Sequence, residues 1–160
     1  MSNNQFKFPL TAFRMKKILM LSLMLGFFSL SFAQTTELSV TFKFLNIVEG
    51  YDHNTKTEVL IDGESVGYSA EVLQSRGCTF KVNVPKGTHD IHVVNYAKYE
   101  GTWEKHLIAN EYSIDCVYDG SHKFKKKKEK LFLIFDIDTG TISSWKKAPK
   151  LKKPSKKEEG

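Results

Sequence analysis

The chain has 160 residues, a formal net charge of +6 and only two cysteines, Cys78 and Cys116. A chain of this length is expected to form one domain with a single core. The charge is divided unevenly, because residues 34–120 carry 7 Lys and Arg against 13 Asp and Glu, whereas residues 121–160 carry 13 against 5. The division predicts a basic face or tail on a mildly acidic body.

Residues 1–33 have the three parts of a secretory signal peptide. A Met-Lys-Lys start at 15–17 is followed by an uncharged run at 18–32, which ends in a small-x-small cleavage site, Ser-Phe-Ala, at 31–33. The run has 15 residues, whereas a membrane span needs about 20. We therefore expect cleavage and a secreted or periplasmic protein, with Met15 as the true start. The alternative is a membrane anchor formed by an uncleaved 18–32.

Alternation of apolar and polar side chains, the period of a half-buried strand, dominates the rest of the chain up to residue 145. It predicts strands at 38–44, 59–61, 78–84, 89–93, 103–108, 112–118, 131–137 and 141–145. Pro85-Lys86-Gly87 is predicted to be a hairpin turn, and Asp119 to Lys130 a charged loop. The side chains expected in the core are Phe42, Phe80, Val82, Val93 and Ile114.

Seven or eight short strands separated by turn residues predict an all-β fold, an antiparallel β-sandwich of immunoglobulin-like type over residues 34–145. Residues 146–160 contain seven Lys and two Pro without apolar periodicity, and they are predicted to be a disordered tail.

The sequence Val-Leu-Ile-Asp-Gly at 59–63, then Gly67, then Val-Asn-Val-Pro-Lys-Gly-Thr-His-Asp-Ile-His-Val-Val at 82–94 resembles the PEGA-type family of small β-sandwich modules. The resemblance covers about residues 57–108. The chain lacks the tetrapeptide that names the family, and Lys98-Tyr99 stands where a Gly-aromatic pair is usual. The resemblance implies a non-catalytic, extracytoplasmic surface or envelope module and transfers no catalytic residues.

Residues 63–67, Gly-Glu-Ser-Val-Gly, match the G-x-S-x-G pattern of a nucleophile elbow, with Ser65 as the nucleophile. An elbow exposes its Ser on a sharp turn between a strand and a helix, in a large sheet whose strands are connected by helices. Strands joined by hairpins do not form such a turn. The favoured interpretation of the motif is an Asp-Gly turn. The alternative function is a small extracytoplasmic hydrolase or metal-binding enzyme that uses Ser65 or the pair His92 and His106. The position of Ser65, on an elbow or in a hairpin, discriminates between them.

Two histidines suggest a metal site if one strand pairing holds. If Tyr96 pairs with Thr102, His92 lies opposite His106, with the Cβ atoms about 4.5–5.5 Å apart. Two such imidazoles and a nearby carboxylate are ligands that suit zinc. A shift of one residue would put the two rings on opposite faces, and the alternative is a pair of solvated imidazoles.

Cys78 and Cys116 form a possible disulfide, because the expected compartment permits one. In a single flat meander they would lie three strand spacings apart, about 14 Å, whereas a bridge needs Cα atoms within about 7 Å. The bridge therefore requires the chain to cross between two sheets, and two buried thiols are the alternative.

Two basic segments are the candidate binding surface. Their residues are Lys123, Phe124, Lys125, Lys126, Lys127, Lys128, Lys130, Lys146 and Lys147. We expect them to contact an anionic envelope component, a lipid or a polysaccharide, with Phe124 inserting at the interface; another envelope protein is the alternative partner, and a purely solubilising role the alternative function. The lack of Arg and of further aromatic platforms argues against nucleic acid. The sequence predicts no catalytic residue and no cofactor.

Overall fold

The computed structural model describes residues 34–149, and nearly all regular structure in this range is β-strand. The ten strands are β1 Thr35–Leu45, β2 Asn54–Ile61, β3 Glu64–Tyr68, β4 Val72–Leu73, β5 Cys78–Pro85, β6 Gly87–Tyr99, β7 Thr102–Lys105, β8 Val117–Phe124, β9 Lys128–Asp136 and β10 Gly140–Trp145. Short 3-10 helices occur at Gln74–Arg76 and Ile108–Asn110. The all-β prediction is confirmed, with ten strands instead of seven or eight. The predicted signal peptide, 1–33, and residues 150–160 of the predicted tail lie outside the described residues.

The strands form two sheets. One has the order β10-β9-β1-β5, and the other the order β3-β2-β6-β7, with β4 also paired to β2 and β8 also paired to β6. Pairing is antiparallel, as predicted, except between β1 and β9, which are parallel and place Val40 beside Leu131. Strands β7 and β8 share one edge of β6, because β7 pairs with residues 96–99 and β8 with residues 87–94.

Alternation along the strands places one face of each sheet in a common core. On β1 the inward residues Leu38, Val40 and Phe42 are fully buried, and they belong to the same cluster as Val59 and Val93 of the other sheet. β-branched and aromatic side chains suit these half-buried pleated positions. Of the expected core residues, Phe42, Val82, Val93 and Ile114 are buried, and Phe80 is half-buried against the cluster.

Pro85-Lys86-Gly87 joins the two sheets and is not a hairpin. Strand β5 pairs with β1, whereas β6 pairs with β2 in the other sheet. Gly87 has φ +133°, a backbone conformation that L side chains rarely adopt. The turn residues were identified correctly, but a local turn signal does not say which strand the chain pairs with next.

The predicted charged loop at 119–130 is also wrong. It contains most of β8 and the start of β9, with only residues 125–127 between the two strands. Strand β8 pairs with β6 and β9 with β1, so this turn also passes from one sheet to the other. Charged residues at the outward positions hid the period-two pattern. The predicted strand 112–118, in contrast, begins only at Val117.

We expect Phe42→Ala to lower the free energy of unfolding by about 3–5 kcal/mol, because its buried ring leaves a cavity in the centre of the core. The ring packs against Phe44 and Phe135, each with centroids 6.4 Å away. Urea denaturation of both variants should show a smaller loss for Phe80→Ala, since that ring is only half-buried. An equal or larger loss at Phe80 would contradict this account of the core.

Candidate functional site

Both predicted basic segments lie at one end of the strands. The backbone N–H of Lys146, just after β10, donates to the carbonyl of Lys130 on β9 at 3.1 Å. This contact brings the lysines that follow β10 beside Lys130, near the end of β9 that follows the 125–127 turn. The resulting surface, which we call the basic end, consists of the exposed residues Lys123, Lys125, Lys126, Lys127, Lys128, Lys130, Lys146 and Lys147.

The carboxylate of Glu129 shapes the turn at the basic end. Its Oε1 accepts the backbone N–H groups of Lys125 and Lys126 at 3.1 and 3.3 Å, and its Oε2 lies 2.6 Å from Nε2 of His122. Burial raises the pKa of Glu129, but the hydrogen bonds from His122 and the two N–H groups outweigh it, and the pKa lies below its ordinary value. Glu129 is therefore ionised at neutral pH and holds the turn in one conformation.

The first residues of β1 also hold the 125–127 turn, through hydrogen bonds to its backbone carbonyls. The hydroxyl of Thr36 donates to the carbonyl of Lys126 at 2.6 Å, and the N–H of Glu37 donates to the carbonyl of Lys127 at 2.9 Å. The backbone carbonyls thus point toward β1. The lysine side chains remain exposed to solvent.

Phe124 does not belong to the exposed surface, and its predicted insertion at an interface is wrong. Only 1% of the residue is exposed. It is the last inward residue of β8, with ring centroids 4.9 Å from His122 and 6.1 Å from Trp145. The ring supports the turn from the core and cannot reach a partner.

A cleft of about 810 Å³ lies at the opposite end of the strands. Its walls come from three parts of the chain that are distant in sequence: residues 47–53, residues 99–113 and Ile137, with Gln74 at the base. We call it the aromatic cleft, because five ring-bearing residues line it: Tyr51, His53, Tyr99, His106 and Tyr112. Strand ends and connecting loops supply all of them.

His106 is the most buried ring of the aromatic cleft, with 3% of the residue exposed. Its ring lies between Phe44 and Tyr112, at centroid distances of 5.6 and 4.2 Å, and its Nδ1 is 3.3 Å from Nε2 of Gln74. Burial, aided by the charge of His53, lowers the pKa of His106 to about 4. The imidazole is therefore uncharged at neutral pH.

Carboxylates outnumber cations around the aromatic cleft. Residues 46–53, 99–115 and 136–138 together contain eight Asp and Glu but only one Lys. Glu104 and Glu111 line the cleft directly, and among the described residues no Lys or Arg does. The two ends of the strands therefore carry opposite charge.

The strand pairing that would bring His92 opposite His106 does not form. Tyr96 lies opposite Lys105, not Thr102, because the hairpin closes tightly with Tyr99 opposite Thr102. His92 instead lies opposite Asp119, with Nδ1 2.6 Å from its Oδ1. Across residues 34–149, no group of three or more His, Cys, Asp and Glu is placed to hold a metal ion.

Ser65 lies opposite Leu60 on β3, the strand that directly follows the Asp62-Gly63 turn of the β2–β3 hairpin. A nucleophile elbow needs a helix after the turn, and here a second strand follows. The motif is therefore a hairpin sequence, and the elbow interpretation of Ser65 is wrong.

The possible disulfide is not formed. Cys78, at the start of β5, and Cys116, just before β8, are both free thiols. Burial raises the pKa of the Cys116 thiol, and the carboxylate of Asp115 adds to this effect. Cys116 packs in the core as a small apolar side chain.

The sequence matches no protein family and no curated protein. Among solved structures, it is similar to "Crystal Structure of Gram Negative Toxin" (8% identity, TM-score 0.30), "Structure of Sugar Binding Protein Pneumolysin" (12%, 0.30) and "Crystal structure of listeriolysin O" (13%, 0.29). The matches cover 72–73% of this chain but only 23–24% of those chains, so the chain spans about a quarter of their length. Matches with such scores assign neither fold nor function. Within residues 34–149, no helix is long and apolar enough to cross a membrane.

We expect His106 to lower the free energy of unfolding as the pH decreases. As pH drops from about 6.5 to about 4, the unfolded chain binds a proton at this ring that the folded chain excludes. The folded state loses about 3 kcal/mol over that interval relative to a chain without the group. Urea denaturation of the wild type and His106→Gln between pH 7 and pH 4 measures this. Parallel pH profiles for the two proteins would contradict it.

Proposed function

We propose that this chain is a non-catalytic, exported binding module that attaches to an anionic component of the cell envelope through its basic end. The observation that carries the proposal is the convergence of eight exposed lysines from two separate segments on one end of the strands. The signal-peptide pattern at 1–33 and the resemblance to PEGA-type modules support an extracytoplasmic site of action.

The strength of such attachment follows from the number of ammonium groups. Each Lys near an anionic surface contributes about 1 kcal/mol, within the range of a Debye length. The fixed conformation of the 125–127 turn keeps several of these groups on one surface, which lowers the entropy lost on binding. Lys128 is 3.9 Å from Glu37, so this residue is partly neutralised within the chain.

The lysines of the basic end are suited to bind a surface of high negative charge density, and not one ligand of defined shape. Lysine ammonium groups act as compact point charges without the planar fork that lets Arg recognise one carboxylate or phosphate. The proposed partner is therefore a repeating anionic surface, lipid headgroups or an acidic polysaccharide, and recognition of a single small anion is not expected.

The mature protein is expected to begin at Gln34, because Ser-Phe-Ala at 31–33 is a small-x-small cleavage site. Mass spectrometry of the intact protein recovered from an exporting host measures this directly. Recovery of the protein only in membranes, with residues 18–32 retained, would support the anchored alternative instead.

Removing two charges from the turn should weaken attachment strongly. We expect Lys126→Ser/Lys127→Ser to lower the affinity for vesicles containing anionic lipid by about thirty-fold, since two contributions of about 1 kcal/mol are lost. Co-sedimentation at 0.1 M salt measures this. The matched control is Lys43→Ser/Lys105→Ser, which removes the same charge from exposed positions outside the basic end and should change affinity less than about threefold.

Attachment should also fall steeply between 0.1 M and 1 M salt, where the screening length shrinks from about 10 Å to about 3 Å. Acidic polysaccharide immobilised on beads replaces vesicles in a second arm and distinguishes the two sources of anionic charge. Equal losses in the turn variant and the control, or no binding to either surface at low salt, would leave the lysines with a solubilising role only.

A further inference from the structure

We propose that the aromatic cleft binds an organic cation, a small molecule or headgroup that carries an ammonium group beside a hydrogen-bond-accepting oxygen. This inference concerns the end of the strands opposite the basic end and does not depend on the proposed envelope attachment.

The size and the exposed rings of the cleft are those of a ligand site. Its volume of about 810 Å³ falls within the range of small-molecule pockets. Tyr51 and Tyr99 are 65% and 53% exposed at its mouth, and both rings stand nearly perpendicular to His53, at centroid distances of 6.3 and 6.2 Å. Exposed apolar surface gathered around one concavity marks an interaction site.

The charge of the cleft selects the ligand. A ring face attracts a cation within about 6 Å of its centroid, and the attraction grows when the cation is desolvated. Glu104 and Glu111 line the same space, and the deepest ring, His106, is uncharged at neutral pH. With no Lys or Arg among the described lining residues, the cleft repels anions and favours cations.

One donor at the base of the cleft calls for an acceptor on the ligand. Gln74 Nε2 donates to Nδ1 of His106, which leaves the proton of the neutral ring on Nε2. Within residues 34–149 that Nε2 makes no hydrogen bond, and it is not fully buried, so a ligand can reach it. Beside it, Tyr112 donates to Oε1 of Glu104 at 2.7 Å, so the carboxylate is held in place. An oxygen next to the ligand's cationic nitrogen would accept from His106.

The same chain already uses this chemistry on the outer face of the β2–β6–β7 sheet. Nζ of Lys56 lies 4.5 Å from the Trp103 ring centroid, 5.4 Å from Tyr68 and 5.7 Å from Tyr96. In that cluster the chain's own ammonium group lies over the faces of the rings. No ammonium group of the described residues lies over the rings of the aromatic cleft.

Choline and its neutral isostere, 3,3-dimethylbutan-1-ol, provide the test. The two probes have the same shape and hydroxyl group and differ only in the charged nitrogen, so calorimetric titration of the mature protein isolates the cation. We expect choline to bind at least tenfold more tightly than the isostere. Phosphocholine, which adds a phosphate next to the carboxylates, should bind more weakly than choline and thereby distinguishes a free cation from a phospholipid headgroup.

Ring and charge variants locate the site. Tyr51→Leu and Tyr99→Leu should each weaken choline binding at least fivefold, whereas Tyr51→Phe, which keeps the ring, should stay within twofold of the wild type. Glu111→Gln should weaken binding two- to threefold. The matched control is Tyr68→Leu, an equally exposed tyrosine outside the cleft, which should leave binding unchanged.

Circular dichroism of each variant confirms that the exposed substitutions leave the fold intact. Equal affinity for choline and the isostere would overturn the proposal. It would also be overturned by choline binding that is unaffected by both leucine variants, and by tighter binding of a neutral saccharide such as cellobiose than of choline.

Discussion

The rest of the structure depends on the burial of one face of β1. Its inward residues Leu38, Val40, Phe42 and Phe44 lie at the centre of the common core, and both neighbours in the sheet, β5 and β9, pair with it along most of its length. A one-residue slip would move this whole apolar set to the solvent face, so the register is strongly specified. Because the register is fixed, the two ends of β1 determine where the basic end and the aromatic cleft lie.

At its first residues β1 supports the basic end, and at its last residues it supports the cleft. Thr36 and Glu37 hold the backbone of the 125–127 turn, while Phe44 packs on the ring of His106. Two of the four passages between the sheets, the short ones at 85–87 and at 125–127, lie at the basic end. The lysines therefore stand on a closely tied part of the backbone, whereas the cleft is built from the longer segments 46–53 and 106–116.

Period-two alternation predicted most strands and the inward residues Phe42, Val82 and Val93, because that pattern is set within one strand. Strand partners were not predictable in the same way. The residues of the Pro85–Gly87 turn are compatible both with a hairpin and with a passage between the sheets. The pairing of Tyr96 with β7 depends on how tightly the turn after β6 closes. The basic end could be predicted from the sequence, because its lysines are concentrated in residues 121–160. The aromatic cleft could not be predicted, because its residues come from separate loops. The one feature of the sequence that pointed to it was the segment 99–115, which is acidic and contains tyrosines.

Distance makes the two surfaces electrostatically independent. Strand β1 has 11 residues, and at about 3.3 Å per residue it separates the two ends by about 35 Å. The Debye length at physiological ionic strength is about 8 Å, so charge at one end is screened before it reaches the other. Attachment through the lysines would orient the carboxylate-rich end away from an anionic surface, since like charges repel at short range. In that orientation the aromatic cleft faces solvent, where a cation reaches it without competing with the counterions held at the surface.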